Sequence, residues 1–188
     1  MTDSEVKKWV TNLDIRAKHL AIQCSVWFVM AQDQELIDWV KGEQNTFVFA
    51  LMRQSLHKDI VSTIYTFLDD TKGVISLKKL VQKMKGRDQT IQMISKEIDA
   101  LTVSAEFIRL EDVRNNQIGH AGSNLSESQV GDVRIVANQI VPICQKLKLI
   151  HLNGVTEINV DAEFVGCSDL LVGQVRKLFG MSASLEHV

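Results

Sequence analysis

Apolar residues recur at three- and four-residue steps along most of this chain, the spacing that places them on one face of an α-helix. Thr2 and Glu5 form a capping-box pair before the first of these stripes. That stripe comprises Val6, Trp9, Val10, Leu13, Ala17, Leu20, Ala21 and Cys24. The pattern resumes between Trp27 and Val40. It predicts either one bent helix or two before Gly42.

A second stripe predicts a long helix over residues 45–70 that crosses the whole domain. Its apolar members are Val48, Leu51, Met52, Leu56, Ile60, Ile64, Phe67 and Leu68. Gly73 follows the end of this helix. A short helix capped by Ser76 is expected over residues 76–85, before Gly86.

A longer helix is predicted from about Asp88 to Val113, and another from Ser126 or Glu127 onward. The buried side of the first is expected to carry Ile91, Ile94, Ile98, Leu101, Ala105, Ile108 and Val113. The buried side of the second is expected to carry Val130, Val133, Ile135, Val136, Ile140, Ile143, Cys144 and Leu147. Pro142 lies within the second helix and is expected to kink it.

Residues 151–167 change character, because apolar and polar residues alternate from Ile158 to Phe164, as in a half-buried strand. Such a strand would pair with its copy in a dimer, lie as an extended arm, or prove to be a helical turn. A final short helix follows Ser168. The sequence therefore predicts an all-α, up-and-down bundle of about four main helices over residues 1–150, with a C-terminal appendage over 151–188.

Charge and composition restrict the function classes. The formal net charge of −2 gives the chain no overall attraction for nucleic acid, so any RNA site has to be local. No apolar run approaches the length of a membrane span, and the first residues are acidic and polar, unlike a signal peptide. We expect a cytoplasmic protein that does not enter a membrane. Its three cysteines, Cys24, Cys144 and Cys167, are odd in number and widely spaced, which fits reduced thiols better than a disulfide framework or a zinc site.

The most chemically capable stretch is Val113–Gly122, where a predicted helix ends in a glycine-containing loop. Arg114 offers a planar, permanently charged fork that matches two phosphate oxygens. His120 titrates near neutral pH and can act as base or acid. Asn115 can donate one hydrogen bond and accept another. These groups suit RNA cleavage by the 2′-hydroxyl, a reaction that requires neither metal nor cofactor.

Two further residues, Arg109 and Asn116, are predicted to help bind the substrate. A structural interpretation of the same stretch is also open. In it, Arg114 pairs with Glu111 or a neighbouring carboxylate, Asn116 caps the helix, and His120 is an ordinary turn residue.

The order Arg-Asn, four residues, then His-Ala at the end of a long helix resembles the Arg-x(4–6)-His signature of the HEPN superfamily, which includes metal-independent ribonucleases. The long amphipathic start, the helix through Phe47 and Tyr65, the short segment 76–84 and the motif helix resemble its AbiU-type, abortive-infection branch. This similarity covers roughly residues 5–148. It implies catalytic roles for Arg114, Asn115 and His120.

The resemblance further implies a homodimer in which two copies of the motif meet, so that one histidine acts as base and its copy as acid. It also implies a toxin role, with restraint by a nucleotidyltransferase-type antitoxin. Some family members are controlled by modification of a tyrosine just after the motif histidine. Here that position is Gly122, and Tyr65 is far away in sequence. The alternative function is a non-catalytic helical module that binds a nucleotide or a protein partner.

Overall fold

The computed structural model describes residues 1–43, 46–86, 88–117, 127–152 and 169–181, with only the backbone of residues 116–117, 127–130 and 169–171. Every regular element in these ranges is an α-helix, so the all-α prediction is confirmed. The helices are α1 (Asp3–Gln32), α2 (Gln34–Gly42), α3 (Thr46–Leu68), α4 (Leu77–Met84), α5 (Gln89–Thr102), α6 (Ala105–Gln117), α7 (Glu127–Leu152) and α8 (Asp169–Leu178).

The core lies between α1 and α7, which pack along each other, with α3 to α6 closing around them. The predicted face of α1 is buried throughout, apart from Trp9, which is half-buried. Full removal of large side chains such as Trp27, Phe67 and Leu20 from water stabilises the bundle, at about 25 cal/mol per Å² of apolar surface.

Polar caps fix where the first helices begin and end. The Thr2 hydroxyl accepts from the Glu5 amide while the Glu5 carboxylate accepts from the Thr2 amide, which confirms the predicted capping box. Asp33 accepts from the Leu36 amide at 3.2 Å and begins a second helix. The apolar pattern over residues 27–42 therefore belongs to two helices.

The predicted single helix from Asp88 to Val113 is wrong, because the chain breaks between α5 and α6. Val103 ends α5, and the Ser104 hydroxyl accepts from the Phe107 amide at 3.2 Å, as at a helix N-terminus. The break changes the phase of the helix that follows. Phe107 and Leu110 are buried on α6, whereas Ala105 and Ile108, predicted to be buried, are exposed.

The predicted buried stripe is also wrong over the first turns of α3. Ile60, Ile64, Phe67 and Leu68 are buried as expected, but Val48, Leu51 and Met52 are about half exposed, and Phe47 is 78% exposed. Only Phe49 of these first turns enters the smaller apolar cluster formed by α1, α2, α3 and α8. Ile135 of α7 is likewise exposed at 44% instead of buried.

The C-terminal part of the described chain continues the helical pattern. Helix α7 contains Pro142, as predicted, and runs to Leu152. Helix α8 belongs to the predicted appendage and packs by Val175 into the smaller cluster. Its Arg176 pairs with Asp33 through two hydrogen bonds of 2.8 Å. The predicted strand over residues 158–164 lies outside the described residues. No helix in the described ranges combines the length and the apolarity that crossing a membrane requires.

Candidate functional site

The last turns of α6 lie against the C-terminal half of α3, and this contact brings Arg114 onto Tyr65. The Cζ atom of Arg114 lies 3.8 Å from the centroid of the Tyr65 ring. The same ring stacks with Phe107, seven residues earlier on α6, with 5.7 Å between centroids and 17° between planes. Residues seven apart share a helix face, so α6 presents both side chains to Tyr65. A cation over a tyrosine face is attracted by the ring quadrupole.

A cleft of about 430 Å³ opens beside this contact. Its walls come from the end of α3 and the segment after it, from Lys78 of α4, and from α5 and α6. The lining residues are Tyr65, Leu68, Asp69, Asp70, Thr71, Lys78, Thr102, Phe107, Glu111 and Arg114. Arg114 is only half-buried, so its guanidinium is accessible from the cleft.

Arg114 forms no ion pair with a carboxylate among the described residues, unlike Arg109 and Arg176. Arg109 is held by Asp132, and Arg176 by Asp33, through two hydrogen bonds each. Glu111 was one expected partner of Arg114, but its Oε1 atom instead accepts from the Tyr65 hydroxyl at 2.5 Å. This hydrogen bond, together with burial, raises the pKa of Tyr65.

The two arginines of α6 point to different helices. The Nε and Nη2 atoms of Arg109 lie 2.8 and 2.6 Å from the two carboxylate oxygens of Asp132 on α7. Five residues at about 100° each separate Arg109 from Arg114, so they cannot share a face. Arg109 is not among the residues that line the cleft. The structure therefore brings Arg114 to the cleft and engages Arg109 elsewhere.

The remaining predicted site residues are only partly described. Asn115 lies in the last turn of α6 and is exposed. The backbone of Asn116 is helical, and its side chain is outside the described set. His120 also lies outside the described residues, as do all of residues 118–126. The geometry between Arg114 and His120 is therefore a prediction from the sequence alone.

The electrostatics of the cleft are mixed. Lys78 pairs with Asp70 at 2.6 Å. Asp69 accepts from the Thr71 amide at 2.7 Å, and hydrogen bonding to Thr71 lowers the pKa of Asp69. Three carboxylates and two cations thus line the cleft. Asp70 pairs with Lys78, and Glu111 accepts from Tyr65, so Arg114 is the cation of the cleft lining that has no carboxylate partner among the described residues.

Sequence analysis did not find Tyr65 as a site residue, because 49 positions separate it from Arg114 in the chain. The available signal was indirect. Tyr65 is the only tyrosine of the chain, and it lies near the end of a long helix that was expected to cross the domain. The side chains that Tyr65 faces depend on the rotation of α6 about its axis. The break between α5 and α6 made this rotation different from the predicted one.

Within the described ranges, no three His, Cys, Asp or Glu side chains come together as candidate ligands of a metal ion. Comparisons of the chain with protein-family models, with curated proteins and with solved structures found no match.

Proposed function

We propose that this chain is a HEPN-like, metal-independent endoribonuclease that acts through Arg114, Asn115 and His120. The observation that carries the proposal is the state of Arg114. Its guanidinium lies on an aromatic ring at the edge of a cleft, without a carboxylate partner among the described residues. A planar fork left available in this way matches the geometry of two phosphate oxygens.

In the proposed reaction a base removes the proton from a ribose 2′-hydroxyl, and the oxygen attacks the adjacent phosphorus. The bond to the 5′-oxygen then breaks as an acid protonates that oxygen. Arg114 stabilises the negative charge that develops on phosphorus, and Asn115 orients the phosphate or the imidazole. The products are a 2′,3′-cyclic phosphate and a free 5′-hydroxyl.

One His120 cannot be base and acid in the same step, so the proposal includes a homodimer in which two copies of the motif face each other. The biological setting we propose is that of a cytoplasmic toxin or abortive-infection effector, restrained by a nucleotidyltransferase-type antitoxin. These assignments rest on the resemblance of the motif to the HEPN signature.

The test is incubation of RNA with the purified protein in the presence of a chelator. We expect cleavage that ends in a 2′,3′-cyclic phosphate, and no cleavage of the same RNA carrying 2′-O-methyl groups. His120→Ala should be inactive while keeping the unfolding temperature of the wild type. His19→Ala, at an exposed position of α1, is the matched control and should cleave normally.

A second candidate, a non-catalytic module that binds a nucleotide or a protein partner, is favoured by the three carboxylates that line the cleft. Asp69, Asp70 and Glu111 would repel a long polyanion more than a single small ligand. Intact RNA across several substrates, together with saturable binding of a mononucleotide, would support this candidate and contradict the nuclease.

A further inference from the structure

We propose that Tyr65 is a positioning residue that keeps Arg114 available for a phosphate, because its hydroxyl holds the Glu111 carboxylate in a hydrogen bond. This inference rests on the proposed function, because it takes Arg114 as the group that binds the phosphate. It adds a residue and a mechanism that the motif itself does not contain. Three observations carry it, and all concern described side chains.

The first observation is the spacing of Glu111 and Arg114, which lie three residues apart on α6. Residues three apart on a helix are neighbours, and a glutamate and an arginine at this spacing ordinarily attract each other. The other arginine of α6 shows this attraction, since Arg109 Nη2 lies 3.5 Å from the carboxylate of Glu106, three residues before it. Glu111 is therefore the natural competitor of a phosphate for Arg114.

The second observation is a hydrogen bond that draws Glu111 away from Arg114. The Tyr65 hydroxyl donates to Glu111 Oε1 at 2.5 Å, across the interface between α3 and α6. A hydrogen bond to a charged acceptor is stronger than a neutral one, so the carboxylate is held towards α3. No ion pair between Glu111 and Arg114 forms in the described structure, although both line the same cleft.

The third observation is the stacking of the Arg114 guanidinium on Tyr65. Arg114 Cζ lies 3.8 Å above the Tyr65 ring, and that ring is held in turn by stacking with Phe107. A guanidinium stacked on an aromatic face keeps the N–H groups at its edge available for oxygen ligands. One side chain thus supplies an aromatic surface to Arg114 and a hydrogen bond to Glu111, the carboxylate three residues before it on α6.

The test is a titration of the protein with inorganic phosphate. The NMR signal of the Arg114 Nε–H group, in protein labelled with ¹⁵N-arginine, monitors binding. An Arg114→Lys sample assigns the signal. In the wild type we expect an upfield ring-current position and a saturable shift with phosphate. Tyr65→Phe keeps the ring but frees Glu111, so the signal should move towards that of an ion-paired arginine. Phosphate affinity should fall by up to about fivefold.

The double variant Tyr65→Phe/Glu111→Gln separates this mechanism from general damage. With the carboxylate neutralised, the phenyl ring alone should suffice, and phosphate affinity should return to near the wild-type value. Tyr65→Leu/Glu111→Gln lacks the ring and should stay weak. Tyr65→Trp, which has an aromatic face and no hydroxyl, should behave as Tyr65→Phe does, so the result does not depend on the folding of one variant.

Three results would overturn the inference: an Arg114 signal that does not respond to phosphate, full phosphate affinity in Tyr65→Phe, or no recovery in the double variant with Glu111→Gln. RNA cleavage by the same proteins separates this inference from the proposed function. If the wild type binds phosphate with the expected dependence on Tyr65 and Glu111 but leaves RNA intact, the nuclease proposal fails and this one stands.

Discussion

The indole of Trp27 and the imidazole of His57 contact each other inside the bundle, with ring centroids 4.9 Å apart and planes inclined by 30°. Both side chains are at most 1% exposed. The indole Nε1 and imidazole Nε2 atoms are buried and have no hydrogen-bond partner among the described residues. A buried imidazole in this setting resists protonation, because a charge there would lose its hydration.

This contact predicts a pH-dependent stability. Burial lowers the pKa of His57 to about 4, from an ordinary value of 6.5. The unfolded chain therefore binds the proton more readily, and stability falls as pH decreases from 6.5 towards 4. The full loss is about 3 kcal/mol in the free energy of unfolding. Urea unfolding at several pH values should show this loss in the wild type, and less of it in His57→Phe.

His19 provides the control for this experiment, because it is exposed on α1. His19→Gln should keep the wild-type slope between pH 4 and 6.5. An unchanged slope in a folded His57→Phe protein would mean that other groups cause the acid sensitivity.

A second prediction concerns the proposed reaction. Arg114→Lys should fold normally but lose cleavage activity on the order of a hundredfold, because an ammonium cannot hold two phosphate oxygens in one plane. Asn115→Ala should lose less, and Asn116→Ala should lose little. Single-turnover rates at saturating RNA, with unfolding temperatures for each protein, provide the measurement. Full activity in Arg114→Lys would contradict the role assigned to its guanidinium.

Substitution of Arg109 should instead reduce stability and leave binding unchanged. Its partner Asp132 is 3% exposed, so Arg109→Ala would leave a buried carboxylate without its cation. The unfolding temperature should fall by several degrees, while the affinity of the folded protein for RNA or phosphate should change little. Arg134→Ala, at an exposed position on α7, is the matched control for stability. Loss of RNA affinity without loss of stability would return Arg109 to the binding site.

The two halves of α3 should respond differently to substitution. Ile60 is fully buried, and Ile60→Ala should cost about 3 kcal/mol of unfolding free energy. Leu51 is 51% exposed, and Leu51→Gln should stay within about 0.5 kcal/mol of the wild type. Chemical denaturation of both variants tests this difference. A large loss in Leu51→Gln would mean that the first turns of α3 are covered in solution.

Sequence periodicity was sufficient for the helices whose apolar stripe is continuous and whose ends carry a polar cap. The helix that begins after Thr2 and the short helix after Ser76 are examples, since a hydroxyl that accepts from the backbone specifies the start locally. Periodicity failed where a helix was assumed to continue through Ser104. A serine within a helical pattern has two interpretations, and local sequence does not choose between them.

The candidate site illustrates the same limit. The sequence identified Arg114 because its chemistry is local to the residue and its motif. The position of its guanidinium depends on Tyr65, and the availability of Glu111 depends on a hydroxyl from another helix. Contacts of this kind are set by tertiary packing, which single-residue patterns do not encode. The geometry of His120 stays a prediction, because this residue lies outside the described part of the chain.

The interruption between α5 and α6 also determines how the chain should respond to a change in its length. Helix α6 takes its rotation from its own anchors, Phe107 and Leu110, rather than from α5. One residue inserted between Val103 and Ser104 would lengthen a connection and leave Arg114 on Tyr65. One residue inserted between Leu110 and Glu111 would turn everything after it by about 100°. The connection at Val103 and Ser104 is thus where a change of length should be tolerated, whereas the eight residues from Phe107 to Arg114 have to keep their spacing for the arginine to reach Tyr65.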